Sequence, residues 1–477
     1  MFFNSLAFAV FLPIVFLLYW FVFNKNKSTQ NAVLIIASYY FYSCWDWRFL
    51  FLLVFSTFLD YYTGIRIEKS QTEKNRKFWF WLSILVNLGF LGMFKYYNFF
   101  ASSFTELLTG FGFKASPFLL DVVLPVGISF YTFHGLSYVI DIYYKRIKAE
   151  YNFIDYSLFV SYFPLLVAGP IERATHLLPQ VKVKRTFDYK TAKEGLYQLI
   201  WGLLKKVVIA DTCATYANAI FDNYNSMNSL SLILGAVYFA FQIYGDFSGY
   251  SDMALGMSKL FGIDLLRNFN YPYFSRDIAE FWRRWHISLS SWFKDYLYIP
   301  LGGSKGGIWM KIRNTFIIFV VSGFWHGANW TYLAWGFINA VYFLPLLLMK
   351  KNRNNIESTV LSWNLESIKV RLNIIMTFLL SCIAWVFFRA KTITDAVLYL
   401  KKIFVNGEFT SQYLSNERYN YELLIMVCLF VLVEWNNRTK IEPISGKYSY
   451  AKLALCLVAI IAIGTYSDYK EFIYFQF

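Results

Sequence analysis

The sequence predicts an all-α, polytopic membrane protein. Of its 477 residues, 57% are hydrophobic and only 16% are charged, whereas about a quarter of a typical soluble domain is charged. A soluble chain of this balance would expose large apolar patches and aggregate, but lipid tolerates such patches. Apolar stretches recur along the whole length. They are continuous rather than alternating, which favours helices over a transmembrane barrel.

The first apolar stretch indicates a retained span. Leu6 to Phe23 carries no charged residue and is about long enough to cross a bilayer. Basic residues follow it, at Lys25 and Lys27, and the small-residue cleavage site of a signal peptide is missing. We therefore expect this segment to stay in the protein as a helix.

Similar apolar stretches are candidates for helices in or near the membrane. They are 6–23, 32–43, 48–62, 78–99, 118–143, 153–169, 195–210, 229–245, 313–325, 330–349, 372–388, 422–435 and 450–465. Several are shorter than the roughly 20 residues of a simple span, so we expect about ten to twelve true crossings together with re-entrant or interfacial helices. No internal repeat or long polar linker separates them, and the most polar region, 404–421, is short. The sequence predicts one membrane-embedded domain over residues 1–477.

The net charge of +15 is best explained by the membrane. In a soluble protein this excess would suggest a nucleic-acid partner, but cationic residues of membrane proteins collect in cytoplasmic loops. Basic gaps at Lys25–Lys27 and Arg66–Lys77 flank a pair of apolar stretches. We expect both gaps in the cytoplasm, the N-terminus outside, and no nucleic-acid partner.

Residues 276–300, RDIAEFWRRWHISLSSWFKDYLYIP, depart from the apolar pattern. Large apolar residues recur at spacings of three and four, on one helical face, while charged and hydroxyl side chains take the other. A helix with an aromatic face and a cationic face suits the membrane interface and is too charged to span. The pattern predicts a continuous interfacial helix over Glu280–Tyr298, ended by Pro300 and followed by a flexible, glycine-rich loop.

His326 is the first candidate for acid–base chemistry. It stands in GFWHGANW, after apolar residues that begin at Phe316. An ionisable side chain within a membrane segment is costly and marks a functional site, and the flanking glycines admit a substrate. An imidazole that joins two helices is the alternative. Of the other histidines, His134 is predicted to make a packed polar contact and His176 to lie on the surface.

His286 is the second candidate. It lies in the interfacial segment directly after Trp285 and close to Arg283 and Arg284, whose guanidinium groups could hold phosphates or a carboxylate. The alternative is an interfacial histidine that faces water.

Other kinds of chemistry find little support. The sequence has no G-x-S-x-G elbow and no Walker-type phosphate loop. Its five cysteines show neither a C-x-x-C pair nor metal-ligand spacing, so no metal site is predicted. Asp246 and Asp252, with Asp264 further on, could hold a cation. Mixed small and acidic residues also cap and break helices, and that interpretation is favoured.

Six blocks follow one another in order along the chain. They are LPVGISFYTF (124–133), FPLLVAGPIER (163–173), DFSGYSDMA (246–254), the region from Asn268 to Gly303, WHGA (325–328) and WVFFRA (385–390). Each block alone is weak, but six in this order are specific. By these blocks the chain resembles the membrane-bound O-acyltransferase family, and within it the membrane subunits of bacterial alginate O-acetylation. The family-like core covers about 120–390.

The resemblance implies roles for individual residues. His326 falls on the family's catalytic histidine, and His286 on the second histidine near the acyl-transfer path. The residues expected along the substrate path are Trp325, Arg283, Arg284, Trp285, Asn329 and Asp295. The arginines, with Lys294, would attract an anionic donor. The implied fold is a ring of tilted helices around a tunnel, with the donor entering from the cytoplasm and the acceptor from the other side.

The resemblance also implies substrates and a partner. The expected donor is acetyl-CoA, with no bound cofactor, and the acceptor is an extracytoplasmic polysaccharide at the cytoplasmic (inner) membrane. The sequence contains no hydrolase-like domain, so a periplasmic hydrolase-like O-acetyltransferase is expected as partner. The aromatic segment Glu471–Phe477 either docks that partner or packs against its own helix bundle.

Two alternatives stay open. One is a teichoic acid D-alanyl transferase, of the same family, whose donor is a carrier-protein thioester; the Tyr298–Gly303 continuation and the chain length favour the acetylation branch. The other is a non-catalytic transporter of a polysaccharide or lipid precursor. The scarcity of acidic residues in most apolar stretches argues mildly against an ion-coupled carrier.

Overall fold

The structure is a computed structural model that describes residues 1–114, 116–121, 123–167, 169–356, 365–410, 412, 422–440, 444–466 and 472–473. Within these residues the regular elements are helices. The chain divides into two compact units, Met1–Leu196 with Ala254–Leu266, and Tyr197–Met253 with Arg267–Phe477. The division is one of packing, so a single membrane-embedded domain stays a prediction.

The first unit consists of nine helices, the start of a tenth and the last residues of α12, which is defined below. They are α1 (Leu6–Leu17), α2 (Lys27–Ser43), α3 (Arg48–Lys69), α4 (Glu73–Leu91), α5 (Tyr97–Gly110), α6 (Ile128–Tyr143), α7 (Phe153–Ser161), α8 (Phe163–Leu166), α9 (Ala174–Val181) and α10 (Tyr189–Leu204). π-helical turns at Leu18–Val22 and Gly92–Tyr96 extend α1 and join α4 to α5.

Two predicted stretches of the first unit differ in the structure. Among the described residues of stretch 118–143, the helix begins at Ile128, directly after Gly127, which takes a left-handed conformation. Stretch 153–169 is split at Tyr162, whose backbone leaves the helical region. Pro164 follows in the first turn of α8, where a helix needs no backbone donor.

The second unit comprises the rest of α10, a π-helical segment Lys205–Ala210, α11, most of α12 and all later helices. The bounds of the helices from α11 onwards are α11 (Asp211–Asp222), α12 (Ser229–Leu260), α13 (Ile278–Arg284), α14 (Ile287–Phe293), α15 (Gly307–His326), α16 (Trp330–Leu348), α17 (Leu365–Arg389), α18 (Ile393–Val405), α19 (Glu422–Asn437) and α20 (Ser449–Ile463). A π-helical turn, Lys294–Tyr298, extends α14.

In the described part of the chain, six helical segments are long and apolar enough to cross a membrane. They are Arg48–Lys69, Glu73–Gly110, Ser229–Leu260, Gly307–His326, Trp330–Leu348 and Ser367–Arg389. Three shorter apolar helices are Leu6–Val22, Leu423–Asn437 and Ser449–Ile463. The chain is therefore a multi-pass, all-helical membrane protein. The ten to twelve crossings predicted from the apolar stretches exceed these six candidate spans and stay a prediction.

Two buried lysines hold α12 in the second unit. The Lys206 ammonium lies 2.8 Å from a carboxylate oxygen of Asp211 and 2.9 Å from one of Asp246. Lys205 lies 2.6 Å from Asp252. Asp246 and Asp252 stand within α12, and the helix continues past both. The expectation that these aspartates cap or break a helix is wrong, because each finds a lysine partner on the adjacent segment.

Glycines let α15 and α16 pack at backbone distance. A Cβ atom on Gly323 would lie 2.2 Å from the carbonyl oxygen of Tyr332, and one on Gly336 would lie 2.3 Å from the carbonyl oxygen of Phe319. Backbone atoms cannot give way as a flexible side chain can. The two glycines therefore fix the spacing of the helix pair that carries His326.

We expect Gly336→Ala to destabilise the protein by about 1–3 kcal/mol, the usual cost of overpacking a well-packed contact. The measurement is the thermal unfolding midpoint of the purified protein in detergent. Gly89→Ala is the matched control, because a Cβ there meets no atom within 4 Å, and its midpoint should not fall. Equal midpoints for the two variants would contradict close packing of α15 on α16.

Candidate active site

The interfacial segment is broken at His286. Helix α13 ends at Arg284 and α14 begins at Ile287, and between them His286 has φ 43° and ψ 55°, a left-handed conformation. That conformation costs a residue other than glycine roughly 1–2 kcal/mol. The predicted continuous helix over Glu280–Tyr298 is therefore wrong, although the segment is not one of the six candidate spans.

The break has a local cause in the preceding segment. The amide of Asn270 donates to the carbonyl of Arg284 at 3.0 Å, and the amide of Ile287 donates to the carbonyl of Asn268 at 2.9 Å. These bonds on either side of His286 replace the bonds that a continuous helix would make. No local sequence signal announces them, because their partners lie far apart in the chain.

His326 ends α15 inside an aromatic cluster. Its side chain is buried, and its ring centroid lies 4.9 Å from that of Trp325, 5.2 Å from Trp335 and 5.3 Å from Phe388. The Trp335 ring is perpendicular to the imidazole. Helices α15, α16 and α17 thus converge on one imidazole.

His286 lies beside His326. The two ring centroids are 6.4 Å apart, and Trp325 is 5.8 Å from His286. Phe247 of α12 packs edge-on against His286 at 4.6 Å. Burial lowers the pKa of His286 to about 3, so this imidazole is neutral at physiological pH. A water-facing histidine was the alternative at this position, and the structure excludes it.

Tryptophans close the cluster on the far side. Trp285 is fully buried, and its ring lies tilted to that of Trp385 at 4.9 Å. Trp385 in turn stacks on Trp335 at 5.6 Å. The structure therefore brings the predicted site residues together in one buried aromatic cluster: His286, His326, Trp285 and Trp325. It adds a set that sequence reasoning did not assign: Trp335, Trp385, Phe388 and Phe247. Trp385 and Phe388 belong to the WVFFRA block and Phe247 to the DFSGYSDMA block, and these two blocks were the available signals.

The two predicted arginines make other contacts. Arg284 pairs with the buried Glu280 at 2.6 Å, one helical turn earlier. Arg283 is exposed, and its guanidinium donates to the carbonyls of Asn352 and Asn355 at 2.8 and 3.0 Å. Arg283 thereby holds the segment that follows α16, and Arg284 stabilises α13.

The remaining polar candidates lie at helix ends. The Asn329 side chain caps α16, accepting from the amide of Thr331 at 3.0 Å, and donates to the carbonyl of Lys391 at 3.3 Å. Asp295 is partly exposed and lies 3.6 Å from Lys294. Asn329 thus fixes the turn directly after His326.

A cationic cavity of about 800 Å³ opens near the aromatic cluster. Among the described residues that line it are four cationic side chains and no acidic one; the cations are Lys294, Lys311, Lys350 and Arg353. Phe319 lines the cavity and lies 5.2 Å from Trp282, which is 5.6 Å from Trp335. A series of ring contacts therefore runs from the lining of this cavity through Trp282 and Trp335 to His326.

The other two histidines lie in the first unit. Buried His134 accepts the amide of Glu172 at 3.1 Å through Nε2, which confirms a packed polar contact. His176 Nδ1 lies 2.8 Å from the Glu172 carboxylate, and this partner raises the pKa of His176. Its side chain is 32% exposed, so the predicted surface position is only partly correct.

Only Phe472 and Ile473 of the aromatic C-terminal segment are described, and the rest of 471–477 lies outside the described residues. Both are buried. The amide of Ile473 donates to Asp246 at 2.7 Å, and the Phe472 ring lies 4.5 Å from Tyr250. These two residues pack within the second unit, as the packing alternative predicts. Docking of a partner stays a prediction.

Comparison with known proteins places this site in a family context. The profile of "MBOAT, membrane-bound O-acyltransferase family" matches residues 143–388, which include His286 and His326. The match also covers α12, which supplies Phe247, and the start of the WVFFRA block up to Phe388, which supplies Trp385 and Phe388.

Individual relatives extend the match over most of the chain. The chain is 40% identical over 400 residues to the "Probable alginate O-acetylase AlgI" of Pseudomonas aeruginosa, which covers 83% of this chain and 74% of that protein. It is 35% identical over 422 residues to the "Peptidoglycan O-acetyltransferase" of Helicobacter pylori, covering 82% and 77%. Similarity to the "Teichoic acid D-alanyltransferase" of Bacillus subtilis is 29% over 225 residues, covering 45% and 57%.

Proposed function

The chain belongs to the membrane-bound O-acyltransferase family and is an acyltransferase, and from this premise we propose that it O-acetylates a polymer outside the cytoplasm. The relatives that match most of its length carry names of alginate and peptidoglycan acetylation. Both acceptors are glycans with free hydroxyl groups. The observation that carries the proposal is the pair of buried imidazoles of His286 and His326, 6.4 Å apart.

The proposed reaction moves an acetyl group from a thioester to a hydroxyl. His326 takes the proton of the acceptor hydroxyl as its oxygen attacks the thioester carbonyl. A carbon–oxygen bond forms, the carbon–sulfur bond breaks, and the departing sulfur receives the proton from the imidazolium. The products are the acetyl ester and the free thiol, and the reaction needs no further reactant. The surrounding tryptophans exclude water, which would otherwise hydrolyse the thioester.

His286 has a supporting role in this proposal. The imidazole is neutral and buried, and it stands beside His326 on the side of α12. A neutral imidazole can donate one hydrogen bond and accept another. It is therefore suited to orient the acceptor or the thioester carbonyl without adding a charge to the buried aromatic cluster.

We further propose acetyl-CoA as the donor and the cationic cavity as the place where its phosphates bind. Four cationic side chains line the cavity and none of its described lining residues is acidic, which favours a polyanion there. The thioester arm would follow the ring contacts of Phe319 and Trp282 towards Trp335 and His326. Lys294 thus keeps the donor-binding role predicted from the sequence. Arg284, which pairs with Glu280, does not keep it, and the other cations of the cavity take that role instead.

We expect the double variant Lys311→Ala/Arg353→Ala to raise KM for acetyl-CoA several-fold with little change in kcat. Such a change would mean that these charges contribute to binding and not to the transition state alone. Added salt should raise the wild-type KM as well and the variant KM less. Lys74→Ala, which removes an exposed lysine of the first unit, is the control. Unchanged KM in the double variant would rule out this cavity as the donor site.

The wider setting is also part of the proposal. It comprises the cytoplasmic membrane, a ring of about ten to twelve helices that includes spans shorter than 18 residues, and a periplasmic O-acetyltransferase that completes transfer to the glycan. The second candidate function is D-alanyl transfer to a teichoic acid. Similarity over 45% of the chain favours it less than the acetylation relatives favour acetyl transfer.

Purified protein in liposomes tests the function. We expect it to release free CoA from acetyl-CoA when an acceptor glycan, or the purified partner, is present. A D-alanyl carrier-protein thioester should give no transfer. Consumption of that thioester together with inert acetyl-CoA would favour the second candidate. Inertness towards both donors would contradict the proposed acetyl transfer.

A further inference from the structure

His286 adopts a left-handed backbone conformation, which is uncommon for any residue other than glycine. Such conformations persist where the surrounding structure determines them. The residue stands between two short helices, α13 and α14, of seven residues each. Both helices are short, so contacts from residues outside them are needed to hold the left-handed turn at His286.

Asn268 contacts this turn with both its backbone and its side chain. Its carbonyl accepts from the amide of Ile287 at 2.9 Å, and its side-chain oxygen accepts from the Ser288 hydroxyl at 2.5 Å. Its side-chain nitrogen donates to the Ser251 hydroxyl of α12 at 2.8 Å. Asn268 is only 1% exposed. It thus joins the two residues after His286 to the helix that carries Phe247.

We infer that Asn268 is a positioning residue that holds His286 in its left-handed conformation, and thereby sets the imidazole between Phe247 and His326. An amide is well suited to this place because it accepts from Ser288 and donates to Ser251 at once. A carboxylate could only accept, and an aliphatic side chain could do neither. The inference rests on the proposed role of His286 in acyl transfer.

A double-mutant cycle tests the inference. The proteins are wild type, Asn268→Ala, His286→Gly and the double variant, where glycine removes the imidazole and itself tolerates the left-handed backbone. We expect Asn268→Ala to lower kcat on the order of 10²-fold, as misplacement of a catalytic group by about 1 Å can, with KM for acetyl-CoA little changed. In the His286→Gly background, the same substitution should cost less than about 2-fold, because no imidazole is left to position.

The outcomes separate this inference from the function on which it rests. An equal loss from Asn268→Ala in both backgrounds would mean that Asn268 acts by another route, and it would overturn the inference alone. If His286→Gly keeps the wild-type kcat, the proposed role of His286 fails and the inference falls with it. If wild type transfers no acetyl group, the proposed function itself fails.

Two further variants guard against a merely structural effect. Ser288→Ala removes one hydroxyl donor to Asn268 and should lower kcat in the wild-type background but not in His286→Gly. It serves in the same cycle if Asn268→Ala does not fold. Asn87→Ala removes a buried asparagine of α4 in the first unit, which donates to Asp60 at 2.8 Å. This control should lower the unfolding midpoint and leave kcat per folded molecule unchanged. A fall in kcat for Asn87→Ala equal to that for Asn268→Ala would count against specific positioning.

Discussion

Replacing His326 by alanine or glutamine is expected to lower the rate of acetyl transfer by at least roughly 10²–10⁴-fold, the usual contribution of a general base. Glutamine can still form hydrogen bonds but cannot take a proton near neutral pH. Both variants should therefore lose the activity, while glutamine retains more of the native packing. The measurement is CoA release by the purified protein, normalised to folded protein.

The folded yield decides how a loss at His326 is understood. His176→Ala removes an imidazole from the first unit and is the matched control, expected to keep its rate per folded molecule. If His326→Ala folds and transfers acetyl groups at close to the wild-type rate, the proposed base is wrong. If both His326 variants fail to fold, the imidazole serves to join α15 to α16 and α17.

Replacing Lys206 by methionine is expected to destabilise the protein by about 3–5 kcal/mol, because removal of one partner leaves buried charge uncompensated. Lys206 is 1% exposed and serves two carboxylates, those of Asp211 and Asp246. Methionine fills similar space, so the loss reports charge and not a cavity. The measurement is the yield of monodisperse protein in detergent and its unfolding midpoint.

Two comparisons check this explanation. Lys391→Met removes a lysine that is 79% exposed and 3.8 Å from Asp222, and it should change stability by less than about 1 kcal/mol. Neutralising the partners as well, in Lys206→Met/Asp211→Asn/Asp246→Asn, should recover much of the yield. A Lys206→Met protein as stable as wild type would show that the buried carboxylates do not need this lysine.

Sequence reasoning predicted best where local pattern decides structure. The continuous apolar runs near 48–62 and 330–349 correspond to α3 and α16, because a helix in lipid satisfies its own backbone and needs no distant partner. His326 was identifiable for the same reason, as a titratable group at the end of a long apolar run. Its membership in a site then followed from the family resemblance, which the relatives confirm for the chain as a whole.

The errors arose where distant residues override local pattern. The spacing of aromatic residues around Trp285 is truly helical, yet bonds from Asn268 and Asn270 divide the segment at His286. Lys205 and Lys206 lie within the predicted apolar stretch 195–210, and the local pattern does not show that carboxylates of α12 are their buried partners. The approach of Trp335 and Trp385 to the histidines depends on how α16 and α17 pack, which single-chain periodicity does not encode.

The left-handed turn at His286 also limits how this position can drift. Few residue types tolerate a positive φ; besides histidine itself they are chiefly glycine, asparagine and aspartate. In a saturation library selected only for folded protein, codons for these residues should therefore survive, while β-branched residues are depleted. Selection for acetylated product should then retain histidine from that small pool. The backbone conformation would thus limit which residue types can occupy position 286, and the requirement for activity would then select histidine from these few.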